Sequence, residues 1–110
     1  MDMQLRGKTA LVTGASAGIG RAIAIALAAE GVRLALVGRR ADALSEVASV
    51  IQADGGPTPT IIIQDALAPD AAQQIADQAL ATLGTVEILV NNAGGSRPFK
   101  LHTDEAVWEE

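Results

Sequence analysis

Cysteine and tyrosine are absent from this sequence, and histidine, phenylalanine and tryptophan each occur once. A chain without cysteine forms no disulfides and offers no thiolate ligands, and one histidine is too few for the usual structural metal sites. We therefore expect no metal centre. Because aromatic residues make up only 2% of the chain, the core has to be aliphatic, which is typical of parallel strands buried between helices.

Positive charge and long apolar runs are also scarce. The net charge is −5, so no basic face is available for nucleic acid. No apolar run approaches the ~20 residues that span a bilayer, and the first residues lack the apolar core of a secretion signal. The sequence thus predicts a cytoplasmic protein without nucleic-acid or membrane partners, and its 110 residues suit a single domain over 1–110.

Strand-like and helix-like patterns alternate along the whole chain. The order β-α-β-α-β-α-β predicts an α/β fold in three layers, with a parallel sheet and right-handed crossovers. The predicted strands are Thr9–Thr13, Arg33–Val37, Thr60–Gln64 and Val86–Asn91. The apolar stripes that predict the helices are Ile19, Ala22, Ile23, Ala26 and Leu27, then Leu44, Val47, Ala48 and Ile51, and finally Ala72, Ile75, Ala79 and Leu83.

Glycine and proline mark the ends of the predicted helices. Gly31, Gly55 and Gly84 stand where a helix would end on a left-handed residue. Pro69 and Asp70 are typical of a helix start, because proline fixes φ and a carboxylate is favoured at the positive end of the helix dipole.

A glycine-rich turn joins the first strand to the first helix, with the sequence Thr13-Gly14-Ala15-Ser16-Ala17-Gly18-Ile19-Gly20. Backbone N–H groups at such a helix N-terminus bind phosphate. We expect Gly14 to make the tight turn, Gly18 to let a diphosphate approach the backbone and Gly20 to let the helix pack closely on the strand. No lysine follows these glycines, which argues against an ATP- or GTP-hydrolysing loop. A turn that only connects strand and helix is the alternative, but the strand–turn–helix context favours cofactor binding.

The end of the second strand carries Gly38-Arg39-Arg40. NAD-binding folds commonly place an acidic residue there for the ribose 2′-hydroxyl. Gly38 supplies none, and Arg39 offers a bidentate partner for a 2′-phosphate. Both arginines precede a predicted helix, where the dipole disfavours cations, and this favours an anionic ligand over solvated surface arginines. We therefore predict NADP(H) as the cofactor, with NAD(H) less favoured.

Polar residues also stand at the ends of the third and fourth strands. The Asp65 carboxylate is suited either to accept a hydrogen bond from an adenine amino group or to close an Asx turn before the next helix. The run Asn91-Asn92-Ala93-Gly94 fits an ordinary turn. It equally fits a site where small residues let a ribose approach and the asparagine amides tie neighbouring strands together.

In order and spacing, Thr13–Gly20, Asp65 and Asn91–Gly94 closely resemble the short-chain dehydrogenase/reductase family. The resemblance covers essentially the whole chain, and it implies a Rossmann-type NAD(P)-binding domain with strand order 3-2-1-4. Gly38 matches the position that is Asp in NAD-preferring members. Ala17 stands where some NADP-preferring members have a basic residue, so the NADP prediction depends mainly on Arg39. The implied cofactor-binding residues are Gly14, Ser16, Gly18, Ile19 and Gly20 for the pyrophosphate, Arg39 for the 2′-phosphate, Asp65 for the adenine, and Asn91, Ala93 and Gly94 for the ribose side.

The same resemblance implies that this chain lacks the catalytic residues. The family uses a later Ser, a Tyr-x-x-x-Lys and a helix Asn, and Ser96 and His102 are interpreted here as ordinary loop residues. We expect a truncated domain that supplies the cofactor-binding half of an enzyme moving hydride between the nicotinamide and a carbonyl or secondary-alcohol substrate. Alone, the chain is predicted to be inactive. The alternatives are a nucleotide-binding module or inactive truncated product, and a structural role for an exposed strand edge.

The family's sheet order also bears on association. The strand Val86–Asn91 is internal in that order, whereas here it becomes an edge with an apolar centre. We therefore expect a marginally stable chain that self-associates or forms oligomers.

Overall fold

The computed structural model describes residues 4–92. Within them, parallel strands pair in the order β3-β2-β1-β4 and alternate with helices. The topology confirms the predicted α/β fold. The first strand has the predicted bounds, and each of the other three differs from prediction at one end, by one or two residues. The elements are β1 (Thr9–Thr13), α1 (Gly18–Ala29), β2 (Arg33–Gly38), α2 (Ala41–Ala53), β3 (Thr60–Ile63), α3 (Ala71–Leu83) and β4 (Ile88–Asn91).

The core lies on both faces of β1 and β2, whose side chains alternate between them. Ala10, Val12 and Leu36 pack against α1 and α2, whereas Leu11 and Val37 pack against α3. Successive strand residues point to opposite faces, so a continuously apolar strand has to be covered on both sides. The helices supply that cover, and the predicted three layers with an aliphatic core are confirmed.

The buried face of α1 differs from the predicted stripe that began at Ile19. Gly20, Ala24 and Ala28 form that face, while Ile19 is 69% exposed and Ala22 is also exposed. Because α1 is apolar on nearly every side, its periodicity does not identify the side that faces the core. The residues on the buried face are all small, which lets the helix approach the sheet closely.

The stripes of α2 and α3 are much closer to prediction. All four predicted α2 residues are buried, and α3 buries Ala71 where the stripe had Ala72. The predicted start of α3 was early: Asp70 has φ +67°, and this left-handed backbone prevents the helix from extending back to Pro69. The glycines predicted to end the three helices all have φ between +84° and +87°, as expected.

The strand β4 lies at an outer edge of the sheet formed by residues 4–92. Its Leu89 is 56% exposed, and an exposed apolar edge strand invites pairing with another chain. Self-association itself stays a prediction. Among residues 4–92, no helix combines the length and the apolar character that crossing a membrane requires.

Candidate functional site

The candidate site lies at the carboxyl ends of β1, β2 and β4. From β1 the chain runs outward through β2 to β3, and then crosses back to place β4 on the other side of β1. Such a reversal opens a crevice above the end of the central strand, which is where open α/β sheets bind their ligands. Thr13 ends β1 at this crevice, and the glycine-rich turn follows it.

The glycine-rich turn is held rigidly between β2 and α1. Ala15 is buried, and its N–H donates to the Val37 carbonyl at 3.1 Å. Gly14 has φ +63°, a conformation that residues with a side chain rarely adopt. A Cβ on Gly20 would overlap the Gly14 carbonyl oxygen, so the first turn of α1 lies directly on the loop. The tight turn at Gly14 and the close packing at Gly20 are therefore as predicted.

The N-terminus of α1 has the properties of an anion site. Among residues 4–92, no side chain caps this helix and no acidic residue occupies its first turn, although the first N–H groups of a helix lack internal partners. A Cβ on Gly18 would meet nothing within 4 Å, which leaves space directly beside these donors. Ser16 precedes them and is partly buried. Exposed N–H groups at the positive end of a helix dipole are suited to a phosphate group.

The hydroxyl of Thr13 connects the ends of β1 and β4. It donates to Asn91 Oδ1 at 2.9 Å and accepts the Asn92 N–H at 2.9 Å. Asn92 Nδ2 then donates to the Gly14 carbonyl at 3.5 Å. Both asparagine side chains thus tie β4 to β1 and to the start of the turn, as one of the two sequence interpretations predicted.

We expect Thr13→Val, which keeps the shape and removes the hydroxyl, to destabilise the protein. Asn91 Oδ1 would lose its donor and the Asn92 N–H its acceptor in a partly buried position. The free energy of unfolding in urea should fall by about 2 kcal/mol. The matched variant Thr85→Val, at an exposed position between α3 and β4, should change it by less than about 0.5 kcal/mol. Equal stabilities for the two variants would contradict the role assigned to the Thr13 hydroxyl.

Arg39 and Arg40 lie between β2 and α2, as the sequence predicted. Arg40 is the residue that precedes α2, and its guanidinium pairs with Asp42 at 3.6 Å on the exposed surface. Arg39 is exposed, and within residues 4–92 no carboxylate is paired with it. Asp42 therefore offsets one of the two cations at the start of α2, and Arg39 is the one that has no counter-ion among residues 4–92.

Asp65 forms the Asx turn that was one of its two predicted roles. Its Oδ1 accepts the Leu67 N–H at 3.0 Å, and its backbone carbonyl accepts the Ala68 N–H at 2.9 Å. The Gln64 N–H donates to the Gly38 carbonyl at 2.8 Å, which places the residues after β3 beside the end of β2. The turn accounts for one carboxylate oxygen and leaves the adenine contact a prediction.

Some predicted residues fall outside the part of the chain that the structure describes. The predicted ribose-side residues Ala93 and Gly94 are among them, as are Ser96 and His102. The sequence interpretation also missed one residue: Thr13 was quoted only as the start of the motif, although its hydroxyl is the centre of the β1–β4 link. Its position opposite Asn91 in the parallel register follows only once the strands are paired.

Comparison with known proteins identifies the family. A family model described as short chain dehydrogenase matches residues 8–110. A short chain dehydrogenase of Pseudocercospora fijiensis is 46% identical over 94 residues, which are 86% of this chain and 30% of that protein. The structure of a hydroxysteroid dehydrogenase from Escherichia coli aligns with a TM-score of 0.78 at 42% identity, over 86% of this chain and 40% of the other. A metagenomic short-chain oxidoreductase in complex with NADP aligns with a TM-score of 0.76 at 42% identity, over 82% and 40% of the two chains.

The match and the fold agree with each other. The parallel order 3-2-1-4 with alternating helices is the Rossmann-type arrangement found in these structures. This chain spans only 30% of the Pseudocercospora protein and 40% of the Escherichia coli protein. The family model covers nearly the whole sequence. The chain therefore belongs to the short-chain dehydrogenase family of oxidoreductases.

Proposed function

We propose that this chain provides the NADP(H)-binding half of a short-chain dehydrogenase/reductase. The observation that carries the proposal is the combination of an uncapped α1 N-terminus with Arg39, which follows β2 and pairs with no carboxylate among residues 4–92. The first feature suits a diphosphate and the second an additional phosphate on the adenosine ribose. A structural neighbour of this chain is described in complex with NADP, which supports the same cofactor here.

The described residues fit that cofactor on physical grounds. The uncapped α1 amides and the open space at Gly18 provide a cradle for the pyrophosphate, and Gly38 carries no carboxylate that would repel a 2′-phosphate. The Asp65 carboxylate retains an oxygen for the adenine amino group beyond its Asx turn. The proposed set is Gly14, Ser16, Gly18, Ile19 and Gly20 for the pyrophosphate, Arg39 for the 2′-phosphate, Asp65 for the adenine, and Asn91, Ala93 and Gly94 for the ribose side.

When bound, the cofactor supplies hydride chemistry toward a carbonyl or secondary alcohol, and this chain binds and orients the adenosine and diphosphate portions. The sequence contains no tyrosine, so it has no phenol to act as the general acid for a developing alkoxide. We accordingly propose that the 110-residue chain binds the cofactor without turnover. A complete enzyme would need the acid and the substrate-binding face from residues that these 110 do not include.

Titration calorimetry with nucleotides tests this proposal directly. The chain should bind 2′,5′-ADP and NADP⁺ saturably. Its affinity for NADP⁺ should be at least about tenfold higher than its affinity for NAD⁺. NADPH mixed with simple ketones and aldehydes should not be oxidised above the rate without protein. Saturable binding without a preference for the 2′-phosphate would overturn the NADP assignment. Absence of all nucleotide binding would overturn the cofactor-binding function itself.

A further inference from the structure

Arg21 is the one charged residue of α1, in a helix that otherwise contains only glycine, alanine and branched aliphatic residues. It is partly buried, and within residues 4–92 no ion pair or hydrogen bond engages its guanidinium. An acidic protein with a net charge of −5 thus leaves a partly desolvated cation unmatched near the start of its first helix. An anion bound beside this side chain would offset the cost of its partial desolvation.

Helix geometry determines which surface the Arg21 side chain covers. The Arg21 N–H donates to the Ala17 carbonyl at 3.4 Å, which places the two residues one helical turn apart. Long side chains on a helix lean toward its N-terminus and cover the preceding turn. By this geometry the surface that Arg21 covers is that of the preceding turn, where the exposed Ala17 methyl group leaves room for a guanidinium beside the α1 amides.

The same residue also faces the second helix. Residues four and seven positions later on α1, Ile25 and Ala28, line a small cleft together with Ile51 of α2, and residues at this spacing share one helix face. The row that begins with Arg21 is thus turned toward α2. The beginning of α2 carries Arg39 and Arg40, and only Arg40 has an acidic partner there.

We propose that Arg21 is a second arginine for the 2′-phosphate of NADP(H), shared with Arg39 across the gap between the starts of α1 and α2. The inference rests on the proposed function. A phosphate monoester carries close to two negative charges at neutral pH, and its three terminal oxygens accept charge-assisted hydrogen bonds from two guanidinium groups. Arg21 then supplies the cation that Ala17 does not, and it determines cofactor preference rather than chemistry.

Binding of NADP⁺ and NAD⁺ to the full chain, measured by calorimetry, tests the assignment of Arg21. Arg21→Gln should lower the affinity for NADP⁺ about tenfold and the affinity for 2′,5′-ADP by a similar factor. This is the effect expected from losing one charge-assisted contact. NAD⁺ affinity should change by less than about twofold. Arg21→Lys should restore part of the lost NADP⁺ affinity, because it keeps the charge and loses the fork of donors.

Two further variants separate the possible outcomes. Arg33→Gln removes an exposed arginine at the amino end of β2, opposite the carboxyl ends of the strands, and should leave both affinities unchanged. If Arg39→Gln abolishes the preference for NADP⁺ while Arg21→Gln leaves it intact, the inference about Arg21 is wrong and the proposed function stands. Equal weakening of NADP⁺ and NAD⁺ by Arg21→Gln would also overturn the inference. Failure of the unmodified chain to bind either nucleotide would overturn the proposed function and this inference with it.

Discussion

Gly20→Ala should weaken NADP⁺ binding at least ~100-fold and lower the free energy of unfolding by about 1–3 kcal/mol. The added methyl group would overlap the Gly14 carbonyl oxygen and lie 2.9 Å from the Gly14 carbonyl carbon and 2.8 Å from Asn92 Nδ2. The Gly14 atoms belong to backbone in a tight turn, so no flexible side-chain end is available to move away. Either α1 shifts off the loop or the loop opens.

The large effect on binding follows from what the loop and helix do together. The proposed pyrophosphate site consists of N–H groups whose directions are set by the contact between Gly14 and Gly20. Displaced N–H donors contribute much less to the binding free energy, because part of that free energy is then used to reorder them. A small structural shift should therefore cost more in affinity than in stability.

Gly84→Ala is the matched control for Gly20→Ala. Gly84 has φ +87°, and a Cβ there would meet nothing within 4 Å, so the substitution strains the backbone at the end of α3 without a clash. It should reduce stability by about 1–2 kcal/mol and leave NADP⁺ affinity unchanged. Similar affinities for NADP⁺ in Gly20→Ala and Gly84→Ala would show that the close contact at Gly20 does not shape the cofactor site.

Arg39→Asp should lower the affinity for NADP⁺ by about 100-fold and the affinity for NAD⁺ by less than about threefold. The change removes a guanidinium from the 2′-phosphate and places a carboxylate against it, and like charges brought together cost several kcal/mol. NAD⁺ has a hydroxyl at that position, and this hydroxyl donates a hydrogen bond to a carboxylate. The affinities should be measured by calorimetry on the full chain.

Arg39 is a cleaner site for this test than Gly38, where an acid would mimic NAD-preferring family members. A Cβ on Gly38 would lie 3.3 Å from Leu44 Cδ2, and Leu44 is fully buried, so the change would mix packing with charge. Arg33→Asp makes the same charge reversal at the amino end of β2, away from the carboxyl ends of the strands, and serves as the control. Equal losses for NADP⁺ and NAD⁺ in Arg39→Asp would discard the 2′-phosphate assignment.

The sequence by itself determined the order and type of the elements. The central residues of β1 and β2, Ala10–Val12 and Leu34–Val37, are all apolar, and in a short strand this pattern requires cover on both faces. The α2 stripe was predicted residue by residue, because Leu44, Val47, Ala48 and Ile51 recur at helical spacing, with polar residues such as Asp42, Glu46 and Ser49 between them. The glycine-rich turn and Arg39 were also identified from local pattern, since backbone freedom and charge are properties of individual residues.

Only the tertiary structure decided what depends on contacts between distant segments. It chose Gly20, Ala24 and Ala28 as the buried face of α1, because in a helix apolar on nearly every side the sheet, and not the periodicity, selects the face. It also brought the Thr13 hydroxyl to Asn91, a contact between residues 78 positions apart. Such a contact depends on strand pairing and register, which are settled by the packing of the whole sheet and are not encoded in either segment alone.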